Sequence, residues 1–467
     1  MSEPTDEARE TERIAELFKA YDIRGIVPNE LNAEIANLIG RGLVAVLQPE
    51  EVAVGRDMRL SGPAIAAGLI DGIRDGGADV VDLGLVSTDA LYFAVGNFGY
   101  PAGVMVTASH NPAKYNGLKI CGKEARPLSL DTGLATIRDA IVEHRLPPPE
   151  TNGARGTLHG RDILDAYAKY MLSLIDVSRI KSLKIAIDAG NGMAGLTVPK
   201  VFAHLPVEVV PLFFELDGSF PNHEANPIEP QNVRDLQRVV VEQHCDFGAA
   251  FDGDADRVFF IDEHGKFVGG DMITALVAAK MLERNPGAAI VYNLICSRSV
   301  PETIARLGGR PIRSRVGHSY IKALMRAEDA VFGGEHSGHF YFRDLWYADS
   351  GMLALLTVLE IVSEANQPLS AVIRPLDTRF RSGEINSEVA DPTETMLRIE
   401  RHYAAEGAEI DHLDGITVSF PTWWFNVRPS NTQPLLRLNL EADDEATMER
   451  KTREVLALIR GGAPDAA

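Results

Sequence analysis

A chain of 467 residues, 45% of them hydrophobic, is long enough for three or four domains with well-buried cores. Its 46 Lys and Arg against 66 Asp and Glu give a formal net charge of -20. That field repels nucleic acid and anionic membrane surfaces, so neither is an expected partner and an anionic ligand needs a local basic pocket.

In chain order, Met1 to Glu16 is an acidic lead-in without the apolar core of a signal peptide, and no apolar run is long enough to span a bilayer. The cysteines Cys121, Cys245 and Cys296 are odd in number and widely spaced, which argues against a disulfide framework or a thiolate metal cluster and fits a reducing cytoplasm. Leu17 to Gly25 contains Tyr21-Asp22-Ile23-Arg24-Gly25. Strand and helix patterns then alternate: Glu51 to Gly55, Pro63 to Arg74, Asp79 to Leu83, Asp89 to Val95, Gly103 to Val106. The run Pro147-Pro148-Pro149 reads as a linker. A second α/β pass opens on the strand Leu183 to Asp188 and ends on the strand Phe247 to Phe251. A third uses Asp271 to Leu282 as helix, Ala289 to Leu294 as strand, Val300 to Leu307 as helix and Ala330 to Phe332 as strand. From about Arg379 the texture shifts to short strands and two helices, Glu394 to Ala405 and Asp444 to Ile459. The expected architecture is α/β: three similar α/β domains over 1–157, 158–266 and 267–376, then a smaller α+β domain over 377–467.

Four loops carry chemistry. Thr107-Ala108-Ser109-His110-Asn111-Pro112 follows a buried strand and presents Ser109, with an imidazole beside it, at a turn suited to an acceptor or donor of a group. Asp252-Gly253-Asp254-Ala255-Asp256-Arg257 sets three carboxylates at alternate positions, a pattern that repels itself unless a hard cation such as Mg²⁺ is held. An EF-hand calcium loop is the rival, since Glu263 falls on its twelfth position, but Arg257 stands where the turn glycine belongs and the flanks read as strands. A solvated acidic turn is the plainer alternative. Gly333-Gly334-Glu335-His336-Ser337-Gly338-His339 suits polyol hydroxyls, its glycines letting backbone approach a ring; a zinc pair at His336 and His339 is the other reading. Arg428-Pro429-Ser430-Asn431-Thr432 suits a phosphate dianion, and a plain turn equally. His318, in Gly317-His318-Ser319, reads more as structural than catalytic.

Together the four loops, in this order, resemble the α-D-phosphohexomutases over nearly the whole chain. The resemblance implies four domains around a central cleft and assigns Ser109 as the residue that carries a phosphoryl group. It implies that Asp252, Asp254 and Asp256, with an oxygen of Ser109, bind Mg²⁺, with Arg257 beside the transferring phosphate. It places Tyr21, Arg24, His110 and Lys119 in the cleft, Glu335, His336 and Ser337 on the sugar, and Arg428, Ser430, Asn431 and Thr432 on the unreactive phosphate. The implied reaction interconverts hexose 1- and 6-phosphates through a 1,6-bisphosphate, which also serves as activator. Lys119, His339 and His318 are the candidates for the general base.

His336 and the run Lys114-Tyr115-Asn116-Gly117 look more like the bacterial phosphomannomutase/phosphoglucomutase branch than the phosphoglucosamine mutases, which remain the alternative substrate class. A sugar-phosphate sensor would have lost the nucleophile or a metal ligand, and none is lost. Ile295 stands where some members have a substrate lysine, so either Arg298 substitutes or contact on that side is weaker, and use of glucose phosphates beside mannose phosphates is in question. A cytoplasmic monomer or homodimer is expected.

Overall fold

A computed structural model describes residues 6–148, 155–429 and 435–461. Its strands form four sheets, one of seven strands and three of five. In the first, Glu51–Arg56 runs parallel to both Ala102–Val106 and Asp79–Leu85, while Tyr115–Gly122 turns back antiparallel along Ala102–Val106. All five residues of Ala102–Val106 are buried, as a continuous apolar run at the centre of a covered sheet requires. Leu158–Gly160 adds to the far edge of the same sheet by pairing with Asp79–Leu85, past the boundary drawn at 157.

The second and third sheets repeat one plan. Leu183–Asp188 lies parallel to Val207–Leu212 and Phe247–Phe251, and Val258–Asp262 then returns antiparallel. Ala289–Asn293 lies parallel to Arg310–Ser314 and Phe332–Gly334, and Phe340–Phe342 then returns antiparallel. The serine loop, the three-Asp loop and the Gly-Glu loop are therefore equivalent hairpin connections, each at the end of a central parallel strand. Ligands of open α/β sheets gather beyond the carboxyl ends of such strands. The fourth sheet, Phe380–Glu388, Leu435–Ala442, Trp423–Pro429, Ile416–Ser419 and Glu409–Asp411, is wholly antiparallel.

The helix Thr88–Phe98 is buried along its first eight residues and is shared between domains. Asp89 at its start accepts hydrogen bonds from Ser87 (2.5 Å), from Tyr167 of the second domain (2.7 Å) and from Ser350 of the third (2.5 Å). One apolar cluster accordingly runs through all three α/β domains, while the fourth domain packs its own around Tyr403, Phe425 and Leu438.

Two local expectations change. The acidic lead-in contains the helix Asp6–Leu17, whose Ile14 and Leu17 are buried against the first domain. Gly333 and Gly334 are strand residues rather than loop residues, paired on both sides. A Cβ on Gly334 would stand 2.3 Å from the Thr274 hydroxyl, so that glycine admits a helix against the sheet instead of backbone against a ring.

Candidate active site

Ser109 stands at the crest of the first hairpin connection with φ 49°, a left-handed conformation that is uncommon outside glycine. Its amide donates to Thr107 Oγ1 (2.9 Å), and its hydroxyl donates to Asp252 Oδ2 (2.7 Å), joining the first hairpin to the second. His110 Nδ1 lies 3.2 Å from the same hydroxyl. Gly253 makes this approach possible, because a Cβ there would lie 2.5 Å from the Ser109 carbonyl oxygen.

Asp252, Asp254 and Asp256 are buried, and each offers an oxygen within 4.8 Å of the others. Arg257 Nε donates to Asp252 (3.0 Å), Lys119 Nζ to Asp254 (2.7 Å) and also to Asp256, and the Thr88 hydroxyl to Asp254 (2.6 Å). Burial, reinforced by the other two aspartates, pushes the Asp252 carboxyl up to about 7 against the pull of Arg257. Burial would lower the Lys119 ammonium, but Asp254 and Asp256 hold it well above its ordinary range. Asp254 Oδ1 and Asp256 Oδ1 remain buried without a hydrogen-bond partner. Three converging carboxylates with two orphaned oxygens fit a hard divalent cation such as Mg²⁺. The loop joins two antiparallel strands, and Glu263 instead accepts from the Ser370 amide (3.2 Å), which removes the EF-hand reading.

A cavity of about 800 Å³ opens in front of these groups, lined by Tyr21, Arg24, Ser109, Lys119, His318 and His339 among others. Arg24 donates to Asn111 Oδ1 (2.6 Å), and the Tyr21 ring meets the His318 ring edge-on with centroids 5.1 Å apart. His339 Nδ1 lies 2.9 Å from Asp349 and 3.9 Å from Asp256. Burial would lower its pKa, but those two carboxylates hold it above the ordinary imidazole value. Burial pushes His318 and His110 well below that value, His318 further under Lys322 and His110 further under Arg257. Sequence reasoning missed Asp349, whose other oxygen lies 2.6 Å from the buried Lys322. Nothing local to the strand Ala348–Asp349 marks it out.

The third loop is tied to the second by a bridge between Arg257 and His339. Glu335 is buried behind His339, its carboxylate accepting from Tyr341, from Asn293 (3.3 Å) and from Ser337 (3.4 Å). His336 faces a separate small gap with Ile295, Arg381, Trp424 and Glu441, so the two imidazoles do not converge as a zinc pair. Arg298 is engaged by the fourth domain. Its guanidinium donates to the Phe420 carbonyl (2.9 Å) and its amide to Glu441 (3.0 Å), which commits it to the fourth domain. Arg428 pairs with Glu384 (2.9 Å), while Ser430, Asn431 and Thr432 lie outside the described residues. Asp57 and Arg59 beneath the serine loop were also missed. Their place just after the strand Glu51–Arg56, at a carboxyl end, was the available signal.

Four models of the phosphoglucomutase/phosphomannomutase family match in order: alpha/beta/alpha domain I at residues 15–146, domain II at 165–265, domain III at 269–379 and the C-terminal domain at 384–458. A Xanthomonas campestris pv. campestris protein named phosphohexose mutases is 43% identical over 446 residues, 95% of this chain and 99% of its own. A Salmonella typhimurium phosphomannomutase is 42% identical over 449 residues, 95% of this chain and 98% of its own. The crystal structure of a phosphoglucomutase/phosphomannomutase family protein from Burkholderia thailandensis is 33% identical, with a TM-score of 0.86 over 96% of this chain and 98% of that one.

Proposed function

The chain belongs to the phosphoglucomutase/phosphomannomutase family of phosphohexomutases, and from that premise we propose that it interconverts mannose 1-phosphate and mannose 6-phosphate through a phosphoserine at Ser109 and a mannose 1,6-bisphosphate intermediate. The observation that carries the reading is Ser109 Oγ, held 2.7 Å from Asp252 at the mouth of a cavity lined by Lys119, Arg24 and His339.

Phosphoryl transfer asks for alignment and charge neutralisation more than for covalent machinery. In the first half-reaction the bond between phosphorus and Ser109 Oγ breaks as a bond forms to the free sugar hydroxyl oxygen, and that hydroxyl gives its proton to a base. The bisphosphate then presents its other end. Ser109 Oγ takes that phosphoryl group, and the departing sugar oxygen recovers the proton, so the phosphoserine is regenerated. Lys119 and Arg257 offset the charge of the moving group. Among the three candidates for the base, His339 is the best placed: Lys119 is locked as a cation between two aspartates, and among the described residues no carboxylate pairs with His318, whereas Asp349 lies 2.9 Å from His339 Nδ1.

Asp252, Asp254 and Asp256 would hold Mg²⁺, which when bound supplies positive charge for the phosphoryl oxygens. The sugar-reading role proposed for Glu335 and Ser337, and the phosphate-holding role proposed for Arg428 and the residues after it, remain part of the same reading. The preference for mannose rests on His336 and the run Lys114-Tyr115-Asn116-Gly117, and use of glucose phosphates is in question because Ile295 offers no cation and Arg298 is engaged elsewhere.

The test is turnover of mannose 1-phosphate, glucose 1-phosphate and glucosamine 1-phosphate with Mg²⁺ and a hexose 1,6-bisphosphate activator, beside Ser109→Ala. Preference for the mannose ester, lost in the variant, is expected. Preference for the glucosamine ester would overturn the substrate, and unchanged turnover by Ser109→Ala would overturn the nucleophile.

A further inference from the structure

Under the serine hairpin lies a side chain that none of the four motifs contains. Arg59 is 1% exposed, and its guanidinium enters the underside of the loop. Nη2 donates to the carbonyls of Ser109 (2.8 Å) and Asn111 (2.6 Å); Nη1 donates to those of Pro112 (3.0 Å) and Tyr115 (2.9 Å). One side chain thus satisfies four main-chain acceptors, three in the serine loop and one at the start of the returning strand. Asp57, fully buried, lies 3.3 Å from Arg59 Nε and accepts the Thr107 hydroxyl at 2.6 Å, and Thr107 Oγ1 in turn accepts the Ser109 amide at 2.9 Å. Both main-chain groups of Ser109 are therefore held, directly or through one hydroxyl, by the Asp57–Arg59 pair.

The pair is itself clamped from the second domain. The Arg59 guanidinium carbon lies 5.3 Å from the centre of the Phe220 ring, and a Cβ on Gly218 would stand 2.5 Å from Arg59 Cα. On the opposite side the Ser109 carbonyl meets Gly253 of the three-Asp loop, where a Cβ would lie 2.5 Å away. The Ser109 carbonyl is caught between a guanidinium and the loop that would hold the metal.

We propose that Arg59 is a positioning residue for the phosphoryl-carrying serine, setting the Ser109 hydroxyl at its distance from the three aspartates. The inference rests on the function proposed above and deepens it. A planar fork with five donors can bridge four carbonyls around a tight turn, and a lysine ammonium on a flexible stem cannot. A misplacement of about 1 Å between reacting atoms costs about 100-fold in rate. Loss of Arg59 therefore acts on kcat, with the sugar-binding groups, and so KM, left alone.

The experiment compares Arg59→Lys and Gly218→Ala with wild type and Ser109→Ala. The readouts are unfolding temperature, steady-state kcat and KM on mannose 1-phosphate, and the single-turnover rate at which a hexose 1,6-bisphosphate phosphorylates Ser109, followed by mass spectrometry. The expected result is a kcat and a phosphorylation rate about 100-fold lower in Arg59→Lys at unchanged KM, with Gly218→Ala moving in the same direction. A folded Arg59→Lys with wild-type kcat, or with its whole loss in KM, overturns the proposal. Where Arg59→Lys does not fold, wild-type rates in Gly218→Ala overturn it. These outcomes leave the proposed function standing, whereas full turnover by Ser109→Ala overturns the proposed nucleophile and this inference together.

Discussion

At the scale of single residues, charge and burial set the chemistry of the cleft. Burial, with Asp256 and Asp254 adding like charge, pushes the Asp252 carboxyl up to about 7. A cation requires the ionised form. Its binding therefore releases a proton, and affinity for Mg²⁺ tightens as pH rises through neutrality. Titration calorimetry in buffers of different ionisation enthalpy measures that proton directly; affinity flat across neutral pH would sink the assignment. His339 acts in the same direction. As a base it must be neutral, so kcat/KM falls as pH drops through its pKa, which Asp256 and Asp349 hold above the usual imidazole value. Asp349→Asn removes one of those carboxylates, so the acid limb of the pH profile should move to lower pH. An unmoved limb would assign it to another group.

Among elements, the helix Thr88–Phe98 and the helix Gly351–Ala365 do more than fill the core. Thr88 donates to Asp254 through its hydroxyl and its amide, while Ser350 caps the second helix at Leu353 (3.0 Å) and donates to Asp89. One hydroxyl thus serves a helix end and a buried carboxylate in a neighbouring domain. Loss of an N-cap alone costs about 1 kcal/mol, and Asp89, which keeps its Ser87 and Tyr167 donors, loses one hydrogen bond besides. Ser350→Ala should lower the unfolding temperature clearly, with Ser350→Thr recovering most of the loss. Equal stability of the two would show the hydroxyl to be dispensable.

For the whole molecule, the distribution of core is the deciding fact. Three α/β domains share one apolar cluster, the fourth owns a separate one, and polar contacts join it to the third. Arg298 is central among these, with Arg313 donating to Thr417 (3.0 Å) and Asp414 accepting from the Val316 amide (3.1 Å). Polar interfaces of this kind permit domain motion. Arg298→Ala should widen the range of fourth-domain positions, measured by small-angle scattering as a larger radius of gyration. The same radius in wild type and variant would mean that other contacts hold the domain.

Much of this was legible in the residues themselves. The α/β alternation follows from apolar runs broken by turn residues, and the serine and three-Asp loops are conspicuous because their inventories make poor strand or helix interiors. The lead-in helix Asp6–Leu17 was obscured by charges such as the exposed Glu12 and Glu16, and Gly333 and Gly334 read as loop because a lone glycine pair carries no sign of what packs against it. Arg298 looked free for a phosphate until the fourth domain claimed it. Arg59, Thr88 and Asp349 act on partners far away in the chain or in other domains, and no local pattern encodes a partner. By itself the sequence determined which side chains the cleft could use and the kind of sheet that carries them, since turn chemistry and hydrophobic period are local. Only the tertiary structure decided that three equivalent hairpins line one cavity, that Asp349 pairs with His339, and that a buried guanidinium holds the Ser109 loop, because convergence depends on strand register and domain packing.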